Sequence, residues 1–286
     1  MERVLGLKID VDTYRGMQIG VPRLLDMLGS EGIRATFFLS IGPDASGRAL
    51  LQILKNPRFL RKMVRTRAGS LYGWRTALYG TLLPSPLIAL SFPELVRQIV
   101  AAGHEVQFHA WDHRRWQDDL TRQPAAWIQE WFRKGIEGYE HLTGRRPSAF
   151  GAPAWLIDER VLSLIARYRF AYLSCTRASA PFIHHGTDFV EIPSDLACFE
   201  EIGFDASDGP LLAALEPGGM HVLPVHAEVE GGIMAGRFTG LLRAVKHQGY
   251  RFLPLGEILP LLDRSRLPSR RFALRLLPGR SAVCAV

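Results

Sequence analysis

The chain has 286 residues, of which 47% are hydrophobic and 22% charged, which is enough apolar material for a sizeable core. Its formal net charge of +7 suits an anionic partner: nucleic acid, an acidic membrane surface or a phosphorylated substrate. Three widely spaced cysteines, without a C-x-x-C pair, argue against a disulfide framework and indicate a reducing compartment.

Strand-like and helix-like segments alternate along the chain, which is typical of parallel strands joined by helical crossovers. In chain order the pattern predicts a strand at 4–11, a helix at 20–32, a strand at 34–41, a helix at 93–102, a strand at 105–109, helices at 124–143 and 158–168, strands near 171–174, 191–193 and 219–225, a helix at 237–248, a strand at 252–255 and a helix at 256–262. We expect a single α/β domain of the barrel type over residues 1–263. A doubly wound open sheet is the alternative, and periodicity does not separate the two.

Two basic regions interrupt this alternation. Segment 45–93 has eight Lys and Arg residues, no acid, and aromatic residues such as Tyr72 and Trp74. Basic residues mixed with apolar ones are typical of contact with an anionic bilayer, so we predict a membrane-facing insertion there. The tail 264–286 has six arginines and no acid; membrane contact and a solvated, disordered tail are equally good interpretations.

The sequence predicts neither a signal peptide nor a membrane-spanning helix. The N-terminus has no apolar stretch of signal-peptide length, and no run approaches the roughly 20 apolar residues that a spanning helix needs. We therefore expect a cytoplasmic protein.

Asp10 and Asp12 lie one residue apart where the first predicted strand ends. Period-two geometry places both carboxylates on one face, where they repel unless a metal or a shared proton stabilises them. A turn with a helix-capping Asp is the alternative.

His109 and His113 would share one face if their segment were helical, which is a common arrangement for a divalent ion, although H-x-x-x-H also occurs by chance. With Asp12 they make a two-histidine, one-carboxylate set that leaves coordination positions open for water and substrate.

His226 follows the predicted strand at 219–225. It is either a core histidine or, if it shares a site with the carboxylates, a natural general acid because its ordinary pKa lies near neutrality.

These segments resemble the successive motifs of the NodB-type polysaccharide deacetylases, which form carbohydrate esterase family four. The matching segments are 10–12, 103–106, 109–113, 153–155 and His226, in the family's order. The resemblance implies a distorted (β/α) barrel with its site at the carboxyl ends of the strands. It also implies that Asp12, His109 and His113 hold the metal, that Asp10 is the base, and that His226 is the acid.

Within the family, segments 9–16, 20–25, 70–74, 109–113 and 226–231 are most similar to enzymes that deformylate undecaprenyl-phosphate-linked formamido-arabinose. The similarity implies a peripheral enzyme on the inner face of the inner membrane, acting in lipid A modification and polymyxin resistance. Its partners would be a polyprenyl-phosphate-linked amino sugar and an anionic membrane surface. Its cofactor would be a divalent metal, with zinc first and cobalt, manganese, nickel or iron as alternatives. We find no nucleic-acid-binding motif.

Other assignments from the sequence are less specific. Tyr14, Arg15, Trp111 and Trp155 are candidate substrate-binding residues. The family's arginine at the start of the third motif, which pairs with the base, is replaced by Gly151, and Arg15 or Arg160 are candidate substitutes. The alternative functions are a deacetylase of N-acetylated polysaccharide or peptidoglycan-type sugars and an inactive membrane- or sugar-binding module.

Overall fold

The computed structural model of the chain describes residues 3–48, 76 and 78–286. Residues 49–75 of the basic segment, with the motif at 70–74 and with Tyr72 and Trp74, lie outside the described residues.

A curled, mainly parallel sheet forms the centre of the fold. Its strands are β1 (Val4–Val11), β2 (Thr36–Ser40), β3 (Glu105–Ala110), β4 (Ala149–Phe150), β5 (Tyr172–Leu173), β6 (Phe182–His184), β7 (Val190–Glu191), β8 (Met220–His226), β9 (Arg251–Leu253) and β10 (Ser269–Arg270). The order is β10-β6-β7-β5-β4-β3-β2-β1-β8, with β9 also paired to β1; among the described strands of this sheet, only β6 and β7 pair antiparallel. Strands β1 to β5 follow one another in sequence order, as in a barrel, whereas a doubly wound sheet reverses direction. The half-barrel confirms the predicted distorted barrel.

Helices occupy most of the crossovers. They are α1 (Val21–Glu31), α2 (Pro93–Ala101), α3 (His113–Asp119), α4 (Ala125–Thr143), α5 (Glu159–Ile165), α6 (Phe199–Ile202), α7 (Gly209–Leu215), α8 (Ala235–His247) and α9 (Leu255–Ile258). Short 3₁₀ turns lie at Ala89–Ser91, Leu120–Arg122, Pro153–Trp155, Ala166–Tyr168, Leu259–Leu261 and Arg264–Arg266, and π-helical turns at Gly16–Gly20 and Val229–Ile233. Among the described residues, no helix combines the length and apolar character that a membrane crossing requires.

The predicted elements recur with small shifts at their ends. Local signals explain several boundaries: Pro93 begins α2, and Gly32 ends α1 with a left-handed φ of 62°. The predicted helix 158–168 is divided, because α5 ends at Ile165 and a 3₁₀ turn follows.

Strand β1 lies in the middle of the site-bearing part of the sheet. On one edge it pairs with β8, and on the other it pairs with β9 at its start and with β2 at its end; all eight of its residues are buried. Because its neighbours run parallel to it, their carboxyl ends meet at one edge of the sheet, and the residues that follow those ends come together there.

Two π-helical turns pack backbone to backbone beside this edge. A Cβ atom at Gly20 would lie 2.0 Å from the carbonyl oxygen of Ala227, and one at Gly231 would lie 2.4 Å from the carbonyl oxygen of Gly20. Glycine at both positions therefore permits a contact that any side chain would block. The contact joins the chain after β1 to the chain after β8.

The C-terminal tail is folded. Strand β10 extends the central sheet, and a small hairpin of β11 (Leu274–Arg275) and β12 (Cys284–Ala285) follows it. Cys284 and Ala285 are fully buried. The alternative of a disordered tail is therefore wrong.

Candidate active site

The chemically important residues lie at the carboxyl ends of β1, β3 and β8. Asp10 stands opposite His226 in the β1–β8 register, Asp12 follows the last residue of β1, and His109 is the second-last residue of β3. In the sheet, β1 is next to β8, and only β2 separates β1 from β3, so the three carboxyl ends are close together.

Asp12, His109 and His113 form a cluster whose candidate ligand atoms face one another. Nε2 of His109 lies 3.1 Å from Oδ1 of Asp12, and Nε2 of His113 lies 3.2 Å from its Oδ2. All three ligand atoms lie within 4.8 Å of one another. The structure therefore brings together the three residues that the sequence predicted as metal ligands.

The chemistry of this cluster fits a cation. Oδ1 of Asp12 and Nε2 of His109 are buried without a hydrogen-bond partner, which is costly unless an ion satisfies them. Burial lowers the pKa of His113 to about 4, so that its imidazole is neutral and can offer a lone pair. Burial alone would raise the pKa of Asp12, but the adjacent His113 and His109 hold it below its usual range. An anionic oxygen and neutral imidazoles are suitable ligands for zinc and similar ions.

The backbone of the third motif orients His109. Its Nδ1 lies 2.6 Å from the carbonyl oxygen of Gly151, which can only accept a hydrogen bond. Nδ1 therefore carries the proton and Nε2 presents its lone pair to the cluster.

His109 and His113 do not share a helix face, so the helical interpretation of H-x-x-x-H is wrong. His109 belongs to β3, whereas His113 is the first residue of α3. Asp112 caps that helix by accepting a hydrogen bond from the Arg115 N–H at 2.9 Å. The strand-to-helix turn brings the two imidazole centroids to 5.3 Å.

Asp10 is held by a lysine of its own strand. Lys8 is fully buried, and its Nζ donates to both carboxylate oxygens of Asp10, at 2.5 Å to Oδ1. The ammonium also lies 5.0 Å from the ring centroid of Phe38 and 5.3 Å from that of Trp155. Lys8 thus compensates the charge of a carboxylate that is itself only 3% exposed.

The cation that pairs with Asp10 is therefore Lys8, and the prediction that Arg15 or Arg160 replaces the third-motif arginine is wrong. Arg160 binds Asp158, the residue that caps α5, and the carbonyl oxygens of Leu120 and Gln123. Arg15, beside the first π-helical turn, forms no ion pair with Asp10 within the described chain. No side chain fits at Gly151, because a Cβ atom there would lie 2.7 Å from the Phe38 ring.

His226 contacts two glutamates. Its Nδ1 lies 2.5 Å from a carboxylate oxygen of Glu200, and its backbone N–H donates to Glu230 at 2.8 Å. Burial would lower the pKa of His226, but the Glu200 carboxylate raises it well above the ordinary value. The raised pKa favours the protonated ring, which is the form that a general acid requires.

A second group of potential ligands, Cys198, Glu200 and His226, overlaps this acid. It is the poorer candidate for a metal because burial raises the pKa of the Cys198 thiol, and a metal binds the thiolate. The raised pKa of His226 likewise favours the protonated ring, which has no lone pair to offer.

The four candidate substrate-binding residues differ in accessibility. Tyr14, Arg15 and Trp111 are half-buried, whereas Trp155 is only 2% exposed. The Tyr14 ring packs against Phe92, with the centroids 4.9 Å apart. The Trp155 ring lies edge to face with His226, with the centroids 6.2 Å apart. A role in substrate binding stays a prediction for all four.

Sequence reasoning missed Lys8 and Glu200. A signal for Lys8 was present: it is the one charged residue among the apolar residues that precede Asp10 in β1, and period-two geometry places it on the same face. Glu200 precedes His226 by 26 positions, and no local pattern links the two.

Comparison with known proteins yields a consistent set of relatives. The polysaccharide deacetylase family model matches residues 3–173. A protein of Shewanella sediminis named a probable 4-deoxy-4-formamido-L-arabinose-phosphoundecaprenol deformylase is 36% identical over 261 residues, covering 89% of this chain and 85% of its own. A protein of the same name from Wigglesworthia glossinidia brevipalpis is 27% identical over 276 residues, covering 93% and 96%.

Solved structures share the fold at low sequence identity. A Mycobacterium smegmatis protein described as a polysaccharide deacetylase is 19% identical, with a TM-score of 0.65 over 97% of this chain and 96% of its own. A PuuE allantoinase is 16% identical, with a TM-score of 0.62 over 90% and 89%.

Proposed function

The chain belongs to the polysaccharide deacetylase family, and on that premise we propose that it hydrolyses the formamide of undecaprenyl-phosphate-linked 4-formamido-4-deoxy-L-arabinose. The products are formate and the free amino sugar on its lipid. The observation that carries the proposal is the 36% identity with a relative named for this reaction, over 89% of the chain. The reaction would serve lipid A modification and, through it, polymyxin resistance.

The roles of the residues follow from their surroundings. Asp10, oriented by Lys8, takes a proton from the water that attacks the formamide carbon. His226 gives its proton to the departing nitrogen as the C–N bond breaks, and because Glu200 engages Nδ1, we assign the donation to Nε2. Asp10 and His226 lie opposite each other on neighbouring strands, so both can reach one bound formamide.

We propose that the cofactor is held by the cluster of two histidines and one carboxylate. A divalent ion held by Asp12, His109 and His113 would supply Lewis acidity for the hydrolysis of the formamide. Zinc suits two imidazoles and one carboxylate best, and cobalt, manganese, nickel and iron are alternatives.

The basic segment 45–93 is proposed to face the membrane that holds the substrate. A described part of the segment lies beside a candidate substrate-binding residue, because the Tyr79 ring centroid is 6.3 Å from that of Tyr14. Leu82 in the same segment is 80% exposed. An exposed leucine in a segment whose sequence is rich in Lys and Arg favours an anionic lipid surface, here the cytoplasmic face of the inner membrane.

The test measures formate released from the formamido-arabinose lipid by purified, metal-loaded protein. We expect formate release that a chelator abolishes and added zinc restores, and the variant His113→Ala should release none even with zinc. Formate release that persists in the chelated protein would contradict the metal-dependent mechanism. Acetate from acetylated sugars, without formate from this lipid, would favour the deacetylase alternative.

A further inference from the structure

The C-terminal hairpin packs on the candidate active site, although it lies beyond the region that the family model matches. Strand β12 packs against the turn Pro153–Trp155 of the third motif. The backbone N–H of Arg177 donates to the carbonyl of Ala285 at 2.8 Å. The last residues are thus joined to the third motif and to the segment that follows β5.

Arg280 makes the most direct contact with the third motif. Its guanidinium donates to the carbonyl oxygen of Ala154 at 3.1 Å and lies 4.7 Å from the ring centroid of Trp155. The side chain is only 12% exposed, so water competes little for these contacts. Both contacts fall on one turn of the backbone.

That turn needs support. Ala154 and Trp155 have φ values of 55° and 52°, in the left-handed region that side chains other than glycine disfavour. Such a backbone persists only where surrounding contacts fix it. Arg280 supplies two of these contacts, and the Trp155 indole supplies a third by donating to the Ser194 hydroxyl at 3.2 Å.

The hairpin also holds the helix that presents Glu200. Arg280 donates to the carboxylate of the next residue, Glu201, at 3.1 Å, and Arg177 donates to the same oxygen at 2.5 Å. Gly279 has a φ of 79°, and a Cβ atom there would lie 2.5 Å from the Glu201 carbonyl oxygen. The tail therefore contacts the backbone and the side chain of a residue adjacent to the partner of His226.

We propose that the C-terminal hairpin is a structural part of the active site, with Arg280 as the residue that positions Trp155 and helix α6 around His226. Trp155 touches the acid directly and lies beside Lys8, the partner of the base. Glu200, on α6, forms the ion pair with the acid. Losing Arg280 would displace both neighbours of His226 while leaving the metal ligands untouched.

The test compares Arg280→Met with Arg271→Met, which removes an exposed arginine of the same tail. The turnover assay uses lipid substrate in detergent micelles, so that membrane binding does not contribute. We expect Arg280→Met to lower kcat by roughly 10- to 100-fold with little change in KM and with full metal content, because misplaced groups slow the chemical step. Arg280→Lys should recover part of the loss, and Arg271→Met should behave as the wild type.

The turnover readout rests on the proposed function, so a second readout does not use activity. The indole N–H resonance of Trp155, assigned by its absence in Trp155→Phe, should shift in Arg280→Met and stay in place in Arg271→Met. If Arg280→Met is too unstable, Arg280→Gln, which also removes the charge, provides the same comparison. An unmoved indole resonance, or an unchanged kcat in a folded variant, would overturn the proposal. A shifted resonance in a protein that releases no formate would instead contradict only the proposed substrate.

Discussion

Replacing Lys8 by methionine removes the buried cation beside Asp10 and keeps an unbranched side chain that can pack against Phe38 and Trp155. Lys8 is fully buried and Asp10 is 3% exposed, so water cannot take over the role of the ammonium. Removing one partner of a buried ion pair costs about 3–5 kcal/mol, because the other charge stays buried and uncompensated. For a chain of this size the loss corresponds to a decrease in melting temperature of roughly 6–20 °C.

The double variant Lys8→Met/Asp10→Asn separates the charge effect from lost packing. It removes both charges, and we therefore expect it to be more stable than Lys8→Met alone, with a coupling of about 0.5–3 kcal/mol. Lys8→Arg keeps a cation and serves as the matched control, with overpacking as its only expected penalty. Denaturant unfolding monitored by circular dichroism gives each free energy of unfolding.

Lys8→Met should also lose turnover, since the carboxylate it orients is the proposed base, while its metal content should remain at the wild-type level. A Lys8→Met protein whose stability and kcat both match the wild type would refute the role of this ion pair. Equal destabilisation in the single and double variants would mean that packing, and not charge, is what Lys8 contributes.

Two further predictions separate the roles of base, metal ligand and acid. Asp10→Asn should keep the metal and lose turnover, whereas His113→Ala should lose both. Metal analysis and kcat measurements on the two purified variants test this. Full activity in Asp10→Asn would show that the base is another group. Glu200→Gln removes the charge that raises the pKa of His226, so that the imidazolium loses its proton at a lower pH and the alkaline limb of the kcat profile moves toward acid. An alkaline limb that does not move would exclude His226 as the acid.

Much of the fold follows from local patterns in the sequence. Strand β1 is a continuous buried run, and its boundaries at Val4 and Val11 agree with the prediction. Short strands such as β4 and β5 have two residues each, and there hydrophobic periodicity gives a position but not an extent. Strand β6 was not predicted, although the short turn that joins it to β7 contains Gly186, whose φ of 74° is typical of a hairpin turn.

The site divides in the same way. The residues that the motifs supply, from Asp10 to His226, converge because they follow the ends of neighbouring parallel strands. The residues that tune them come from distant parts of the chain: Arg280 binds the carbonyl of Ala154 across 126 positions. Such contacts depend on how the tail packs, which composition and periodicity do not encode.

The most direct test of the central claim offers the protein both acyl groups on the same lipid. Equal concentrations of the formamido and acetamido forms of the arabinose lipid are mixed with metal-loaded protein, and formate and acetate are measured from one reaction. The account predicts that formate is released first and that a chelator stops its release. Preferential release of acetate would contradict the deformylase assignment and leave the family fold with a deacetylase activity.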